Sequence, residues 1–358
     1  MIDVLVIGGG IAGISIGSRL SETSKVIILE AEKELAYHAS SRSAATFIEN
    51  YGNDVVRSLN TASKHYLEND NGGVLSPRGM MLVGKKGQEN HFLRDSETFG
   101  LNEMSIHEAK KKFDILDPTN ITKVSYRADV FDLDTDLFFQ NFLKRFKKNG
   151  GHVYTNSKVL SISYGNNKWV VKTSKEEFEA KLLINASGAW VDEVAKMARI
   201  KPLNFTPYRR SIARIKISDT NTVKGWPMVT GVNEEFYAKP DAGQLIVSPA
   251  DETATSPHDA WPTEEDLATG IDFLSQIAEI SVDRITSSWA GLRTFSPDKA
   301  LVIGHDKINS EFFWFAGQGG YGFQTSAAAS ELASELILGT SPSIGRDVSN
   351  SLSPSRFY

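Results

Sequence analysis

The sequence predicts an α/β fold in which one parallel sheet is assembled from distant parts of the chain, with length left over for a second domain. Three observations carry that reading. The segment from Ile2 to Glu30 has the order strand, glycine-rich turn, helix, strand. Two further strand-to-helix turns rich in small residues follow, Asn185-Ala186-Ser187-Gly188-Ala189-Trp190 near the middle and Gly317-Gln318-Gly319-Gly320-Tyr321-Gly322 towards the end. At 358 residues the chain is also long for a single hydrophobic core.

Val4-Leu5-Val6-Ile7 is a short apolar run rich in β-branched residues, as a buried parallel strand requires. Gly8-Gly9-Gly10-Ile11-Ala12-Gly13 follows in G-x-G-x-x-G spacing. Gly8 permits the tight turn, Gly10 lets a pyrophosphate approach the backbone, and Gly13 lets the helix pack on the strand. Ile14, Ile16 and Leu20 pack that helix, whose unsatisfied N–H groups and positive dipole end face the phosphates. A second strand, Val26 to Leu29, ends in Glu30, twenty residues past Gly10. A carboxylate there accepts hydrogen bonds from a ribose 2′-hydroxyl and repels a 2′-phosphate, which argues against NADP. The glycine spacing alone is common; with strand, helix, strand and acid in place it reads as a dinucleotide site.

The segment Tyr37 to Ala45 has two readings. It caps a second helix and brings the Arg42 guanidinium to a phosphate or the cofactor's edge, or it is a solvated loop with one surface arginine. Val55, Val56, Leu59, Ala62, Tyr66 and Leu67 recur at helical spacing within 53–67, and 74–83 reads as extended, punctuated by Pro77 and Gly79. Thr135 to Lys148 is a helix with a phenylalanine stripe. Lys158–Tyr164 and Lys168–Thr173 form a hairpin across Gly165-Asn166-Asn167. Leu182-Leu183-Ile184 then returns to the nucleotide-binding sheet and leads into a helix through Met197.

Arg209 to Ile217 is strand-like, so Arg209 and Arg210 point to opposite faces. Phe236–Ala238 and Leu245–Val247 flank Pro240-Asp241-Ala242-Gly243, read as a hairpin turn, and Thr263 begins a helix. Phe312 to Ala316 is a strand, and a helix runs from Phe323 to Leu338. Residues after Ser341 read as a surface tail. Three glycine-rich turns on one sheet suit a long ligand whose second end must also be held, and FAD fits that better than NAD.

Composition narrows the function classes. A net charge of -5 offers no basic stripe for nucleic acid and no polybasic membrane anchor. Zero cysteines exclude disulfides, thiolate metal sites and a cysteine-linked cofactor, and no metal site is expected. No apolar run has membrane-spanning length, so membrane contact is at most peripheral. The N-terminus lacks the basic n-region of a signal peptide, and a cytoplasmic location is expected.

Taken together, GGGIAG, HASSRSAA, NASGAW, WPM, FYAKPDAG, WAGLR and FAGQGGYGFQTSAA resemble the FAD-dependent amine and D-amino-acid oxidoreductases, which include sarcosine oxidase, glycine oxidase and D-amino-acid oxidase. Within that family the likeness is greatest to bacterial D-arginine dehydrogenase. The resemblance implies a Rossmann-type FAD-binding domain (1–45, 136–200 and 290–358) interleaved with a mixed-sheet substrate domain (46–135 and 201–289). It implies that Gly8, Gly10, Ile11, Ala12, Gly13, Glu30 and Ala31 hold the ADP half. Ser41, Arg42, Ser43, Ala44 and Ala45 run beside pyrophosphate and flavin, and the Val159 backbone meets the adenine. Ser187, Gly188, Trp190, Gly291 and Arg293 complete the cofactor contacts. Gly319, Gly320, Tyr321, Gly322, Phe323 and Gln324 approach the flavin ring, where a helix N-terminus stabilises its electron-rich reduced form.

The family's substrate residues match Tyr51, Arg210, Tyr237, Arg293 and the Gly320 carbonyl, with the arginines as a carboxylate clamp. Two positions depart from D-arginine dehydrogenase. Its side-chain-recognising glutamate aligns with Met80, and a pocket histidine aligns with Thr46. Methionine cannot pair with a guanidinium, so an uncharged side chain is expected in the substrate.

The implied reaction is oxidation of an α-amino acid, D-configured, to an imine and then to a 2-oxo acid and ammonia, by hydride transfer to noncovalently bound FAD. Rival readings are a secondary amine oxidase of the sarcosine or glycine type, a flavin-dependent 2-hydroxy acid dehydrogenase, and a non-catalytic flavoprotein subunit. The electron acceptor, whether quinone, carrier protein or oxygen, leaves no signature in residue spacing.

Overall fold

The computed structural model describes residues 2–217 and 223–358. Its first strand, Ile2–Ile7, buries both faces, so Val4 and Val6 enter one apolar core while Leu5 and Ile7 enter another. It pairs in parallel with Val26–Leu29 on one side and Glu177–Asn185 on the other. Glu177–Asn185 is shared along its length: its first half takes the antiparallel strand Lys168–Thr173, and its second half takes Phe312–Ala316 in parallel. With His152–Tyr154, Val159–Gly165 and Val302–His305 the sheet has eight strands, drawn from three stretches of the chain as the glycine-rich turns require.

Helices Ile11–Leu20, Asp54–Asn69, Thr135–Lys148 and Gly322–Leu338 cover one face of this sheet. The phenylalanine stripe of Thr135–Lys148 is buried there, as its spacing dictates. The hairpin turn Asn166-Asn167 has φ of +52° and +56°, the two-residue form that matches strand twist.

A second sheet of nine strands is mixed, since Met228–Gly231 pairs in parallel with Met80–Lys85 while its other pairings are antiparallel. Its longest contact joins Thr206–Ile217 to Val282–Phe295. Val282–Phe295 runs unbroken through residues 289 and 290 and delivers Gly291 and Arg293 towards the first sheet. The architecture is a Rossmann-type α/β portion interleaved with a mixed-sheet portion.

Two local expectations change, and two helices come in addition. The hairpin turn is Ala242-Gly243 alone, both at positive φ, and Pro240 and Asp241 belong to the strand, opposite Leu245 and Gln244. The residues after Ser341 do not wander over the surface. They form the helix Arg346–Leu352 and a terminal turn, held by Arg356 to Asp298 and to the Leu301 carbonyl. Helices Glu89–Phe99 and Ile106–Lys112 had no counterpart in the sequence reading. Among the described residues, no helix is long and apolar enough to cross a membrane.

Candidate active site

A cavity of about 540 Å³ runs between the two sheets, from Glu30 and Val159 at one end to Arg210, Arg293 and Gly320 at the other. At the first end the turn has to be glycine. Gly8 has φ of +110°, and a Cβ on Gly13 would overlap the Gly8 carbonyl. Helix Ile11–Leu20 has no cap from its N-cap residue Gly10 and no acid in its first turn; Ile11 N is taken by the Ser40 hydroxyl, and Ile11 and Ala12 face the cavity. Its N-terminus is therefore open to an anion. Glu30 is aimed by two backbone donors, Gly9 N at 2.8 Å on Oε2 and Glu32 N at 2.9 Å on Oε1. Each oxygen keeps a lone pair for a ribose hydroxyl. Ala31, Ser187, Gly188 and Trp190 line the same end, and Gly13 packs behind it.

The segment after Glu30 departs from expectation. Ser41 is exposed and turned away, its hydroxyl donating to the Tyr37 and His38 carbonyls; Ser40 faces inward instead, accepting from Ile11 N at 3.0 Å. Arg42 reaches the cavity wall, yet its donors are engaged elsewhere. Nη1 donates at 2.9 Å to the carbonyls of Ala260 and Ala290, and Nη2 pairs with Asp259 at 2.5 Å. It ties the cofactor segment to the mixed-sheet portion, and neither of its two sequence readings describes that role. Ser43, Ala44 and Ala45 do line the cavity. Ala45 has φ of +57°, with its carbonyl held by Leu133 N at 2.9 Å and by Lys239 Nζ at 3.2 Å. Lys239 is only 3% exposed and pairs with Asp132 at 2.6 Å, which also accepts from Arg78.

At the far end the strand register assembles a cationic site. Tyr208 lies opposite Arg293 and Arg210 opposite Gly291, so the two arginines are diagonal neighbours on one face. Arg209 points away, as alternation demands, and pairs with Asp266 at 2.7 Å. Arg210 is 6% exposed, and its Nη2 is 3.4 Å from Glu252. Arg293 has no carboxylate within 4 Å among the described residues; its Nη1 is 3.4 Å from the Tyr51 hydroxyl. Burial and the neighbouring Arg293 lower the Arg210 pKa from its usual value. Burial, with the charge of Glu234, raises that of Tyr51.

Four buried polar atoms here lack any partner: Arg210 Nε, Tyr237 Oη, Thr294 Oγ1 and Gln324 Nε2. Buried donors without partners mark where a polar ligand belongs. Helix Gly322–Leu338 also starts here, uncapped and without an acid in its first turn, and Gly320, Gly322, Phe323 and Gln324 face the cavity. Gly319 has φ of +50°, and a Cβ on Gly320 would lie 2.9 Å from Arg293 Nη1.

Tyr51, Tyr237, Tyr321 and Met80 stand behind the wall. Tyr51 is fixed by buried Asn60, which donates to the Glu49 and Tyr51 carbonyls, and its ring meets Tyr321 at 5.7 Å. Met80 is buried in an apolar cluster with Phe92, Phe99, Met228 and Tyr237, against which Tyr51 packs. Thr46 lines the cavity. Sequence reasoning missed Ser40, Lys239, Glu234 and Glu252. For Lys239 there was a signal, a lysine set among the apolar residues Phe236, Tyr237, Ala238 and Pro240.

An open helix N-terminus, an aimed glutamate, a cavity reaching well beyond a nucleotide and unpaired donors at its far end fit FAD. The comparisons agree. Residues 3–336 match the family model described as FAD dependent oxidoreductase. A curated relative, L-2-hydroxyglutarate dehydrogenase of Indibacter alkaliphilus, is 24% identical over 60% of this chain, which spans 57% of that protein's length. Among solved structures, L-proline dehydrogenase from P. horikoshii superposes with a TM-score of 0.83 at 22% identity, covering 99% of this chain and 97% of its own. Glycine oxidase from Geobacillus kaustophilus also gives 0.83, at 18% identity and 98% coverage of both chains. The chain belongs to the FAD-dependent oxidoreductase family and takes FAD as its cofactor.

Proposed function

We propose that the chain oxidises the Cα–N bond of a D-α-amino acid with an uncharged side chain, giving an imine that water hydrolyses to a 2-oxo acid and ammonia. The observation that carries this reading is the pair of arginines on one face at the end of the FAD cavity, Arg210 buried and Arg293 half-buried, with no carboxylate within 4 Å of Arg293 among the described residues. A guanidinium pair of this kind binds a carboxylate in a bidentate fork.

Bound FAD supplies the two-electron acceptor. The chain's own residues position the substrate. Arg210 and Arg293 hold its carboxylate, the Tyr237 hydroxyl donates a further hydrogen bond, and the Gly320 carbonyl accepts from the amine. Tyr51, packed against Tyr321, shields this end from water. The buried apolar cluster of Met80, Phe92, Phe99 and Met228 backs this end of the cavity and offers no partner for a charged side chain. The likeness of the motifs to D-arginine dehydrogenase supports the D configuration, and the Met80 and Thr46 departures support an uncharged side chain.

A second reading is oxidation of a 2-hydroxy acid, favoured by the relative that is an L-2-hydroxyglutarate dehydrogenase. The same arginines serve it. The apolar cluster disfavours a second carboxylate, so amino and hydroxy monocarboxylates are the substrates to compare. Anaerobic mixing with D-amino acids, L-amino acids, N-methyl amino acids and hydroxy acids separates the readings without reference to the electron acceptor. Bleaching by uncharged D-amino acids supports the proposal. Bleaching by hydroxy acids alone refutes it in favour of the second reading, and bleaching by none leaves a flavoprotein without this activity.

A further inference from the structure

Arg210 already has an anion beside it. Strand Thr253–Ala254 runs antiparallel to Thr206–Ile217, pairing Ala254 with Tyr208 and Thr253 with Arg209. Continued by one residue, that register sets Glu252 across from Arg210. The next residue back, Asp251, locks it, accepting from Ser211 N at 2.6 Å and from the Ser211 hydroxyl at 3.0 Å. Glu252 Oε1 is 3.4 Å from Arg210 Nη2, and Oε2 is 3.6 Å from Lys299 Nζ. Arg210 is buried, while Glu252 and Lys299 side chains are 45% and 58% exposed. The carboxylate thus stands between a buried cation and a solvated one. It is the one carboxylate within 4 Å of Arg210 among the described residues. Glu234 acts on the same arginines through its charge but lies beyond 4 Å of both, and Asp251 is engaged by Ser211 and Arg209.

We propose that Glu252 is the resident counter-ion of the substrate site, occupying Arg210 until a substrate carboxylate displaces it towards Lys299, and that its charge biases the site towards singly charged anions. This rests on the carboxylate-clamp reading above. Without a ligand, the pairing keeps Arg210 from being a buried cation with no counter-charge. With a ligand, the negative charge stays nearby and opposes each unit of ligand charge. A dianion is therefore penalised about twice as much as a monoanion, because Coulomb energy scales with ligand charge.

The test uses the FAD-loaded protein, with flavin content checked by absorbance, and titrates acetate and malonate by their perturbation of the flavin spectrum. Glu252→Gln removes the charge and keeps the shape; Glu252→Ala serves as a second variant. Acetate should bind about tenfold tighter in either variant and malonate about a hundredfold tighter, so that the ratio of their dissociation constants shifts about tenfold. A simple packing role for Glu252 would not move that ratio. Acetate binding that is unchanged or weaker in both variants, while Arg210→Met abolishes it, overturns the counter-ion role alone. If acetate binds wild type and Arg210→Met equally, or binds neither, the clamp reading falls and this proposal falls with it.

Discussion

Arg293 and Arg42 both line the cavity, and the structure assigns them opposite signatures on substitution. Arg293 has no carboxylate within 4 Å among the described residues, and its polar contact is Tyr51 Oη at 3.4 Å. Replacing it with Met removes a half-buried charge that has no carboxylate within 4 Å, so folding stability should change little. Carboxylate binding should fall steeply, because losing one partner of a desolvated charge pair costs roughly 2–5 kcal/mol, a factor of about 30 to several thousand in dissociation constant. Arg42→Met does the reverse. It strands the buried carbonyls of Ala260 and Ala290, each worth roughly 1–3 kcal/mol once unsatisfied, and releases Asp259. Stability should drop by about 2–6 kcal/mol. Thermal unfolding of the holoproteins and acetate titration by flavin absorbance read both quantities. If Arg293→Met unfolds as early as Arg42→Met and still binds acetate like wild type, Arg293 is a structural arginine and the clamp does not exist.

Three further outcomes follow from particular residues. Acid precipitation should leave the yellow colour in the supernatant, since there is no cysteine to link FAD and His38 Nε2 is occupied by Glu32 at 3.0 Å; colour in the pellet contradicts this. Met80→Glu should raise the ratio of kcat/KM for D-arginine over D-methionine, a ratio that cancels general damage to the enzyme; a ratio that stays put removes Met80 from the side-chain pocket. The Asp298 pKa is lowered: burial pushes it up, but hydrogen bonds from Arg356 and Ser296 outweigh burial. A depressed carboxyl contributes stability above its unfolded value of about 3.9 that is lost as pH falls through the folded one. Arg356→Ala should therefore be less stable than wild type at neutral pH, with the gap narrowing in acid to what the Arg356 bonds to the Ser353 and Leu301 carbonyls contribute; a gap that stays constant down to pH 2 refutes the pairing.

What was legible in the sequence was local. The first strand, turn and helix rest on adjacent residues whose periodicity and glycine spacing are self-contained, and so does the aromatic stripe of Thr135–Lys148. Alternation alone separated Arg210 from Arg209. What was hidden depends on partners far away in the chain. Arg42 is a tether because Asp259, Ala260 and Ala290 fold back onto it, and Lys239 matters through Asp132 and Ala45. The terminal residues are ordered by Asp298, Leu301 and Asp306, none of them local. Helix Glu89–Phe99 buries Phe92 and Phe99 with little other apolar surface, too sparse a pattern to announce a period. Glu252 owes its place opposite Arg210 to a two-residue strand below the length any alternation rule can read.

On the reading above, a carboxylate held by Arg210 and Arg293 brings an α-amine to the FAD. Anaerobic stopped-flow reduction by D-methionine and by D-methioninol, which keeps the amine and side chain but lacks the carboxylate, tests it most directly. D-methionine should bleach the flavin rapidly and saturably, Arg293→Met should slow this severely at low substrate, and D-methioninol should give no comparable bleaching. Equal bleaching by both compounds in wild type, or bleaching by D-methionine that Arg293→Met leaves untouched, would contradict it.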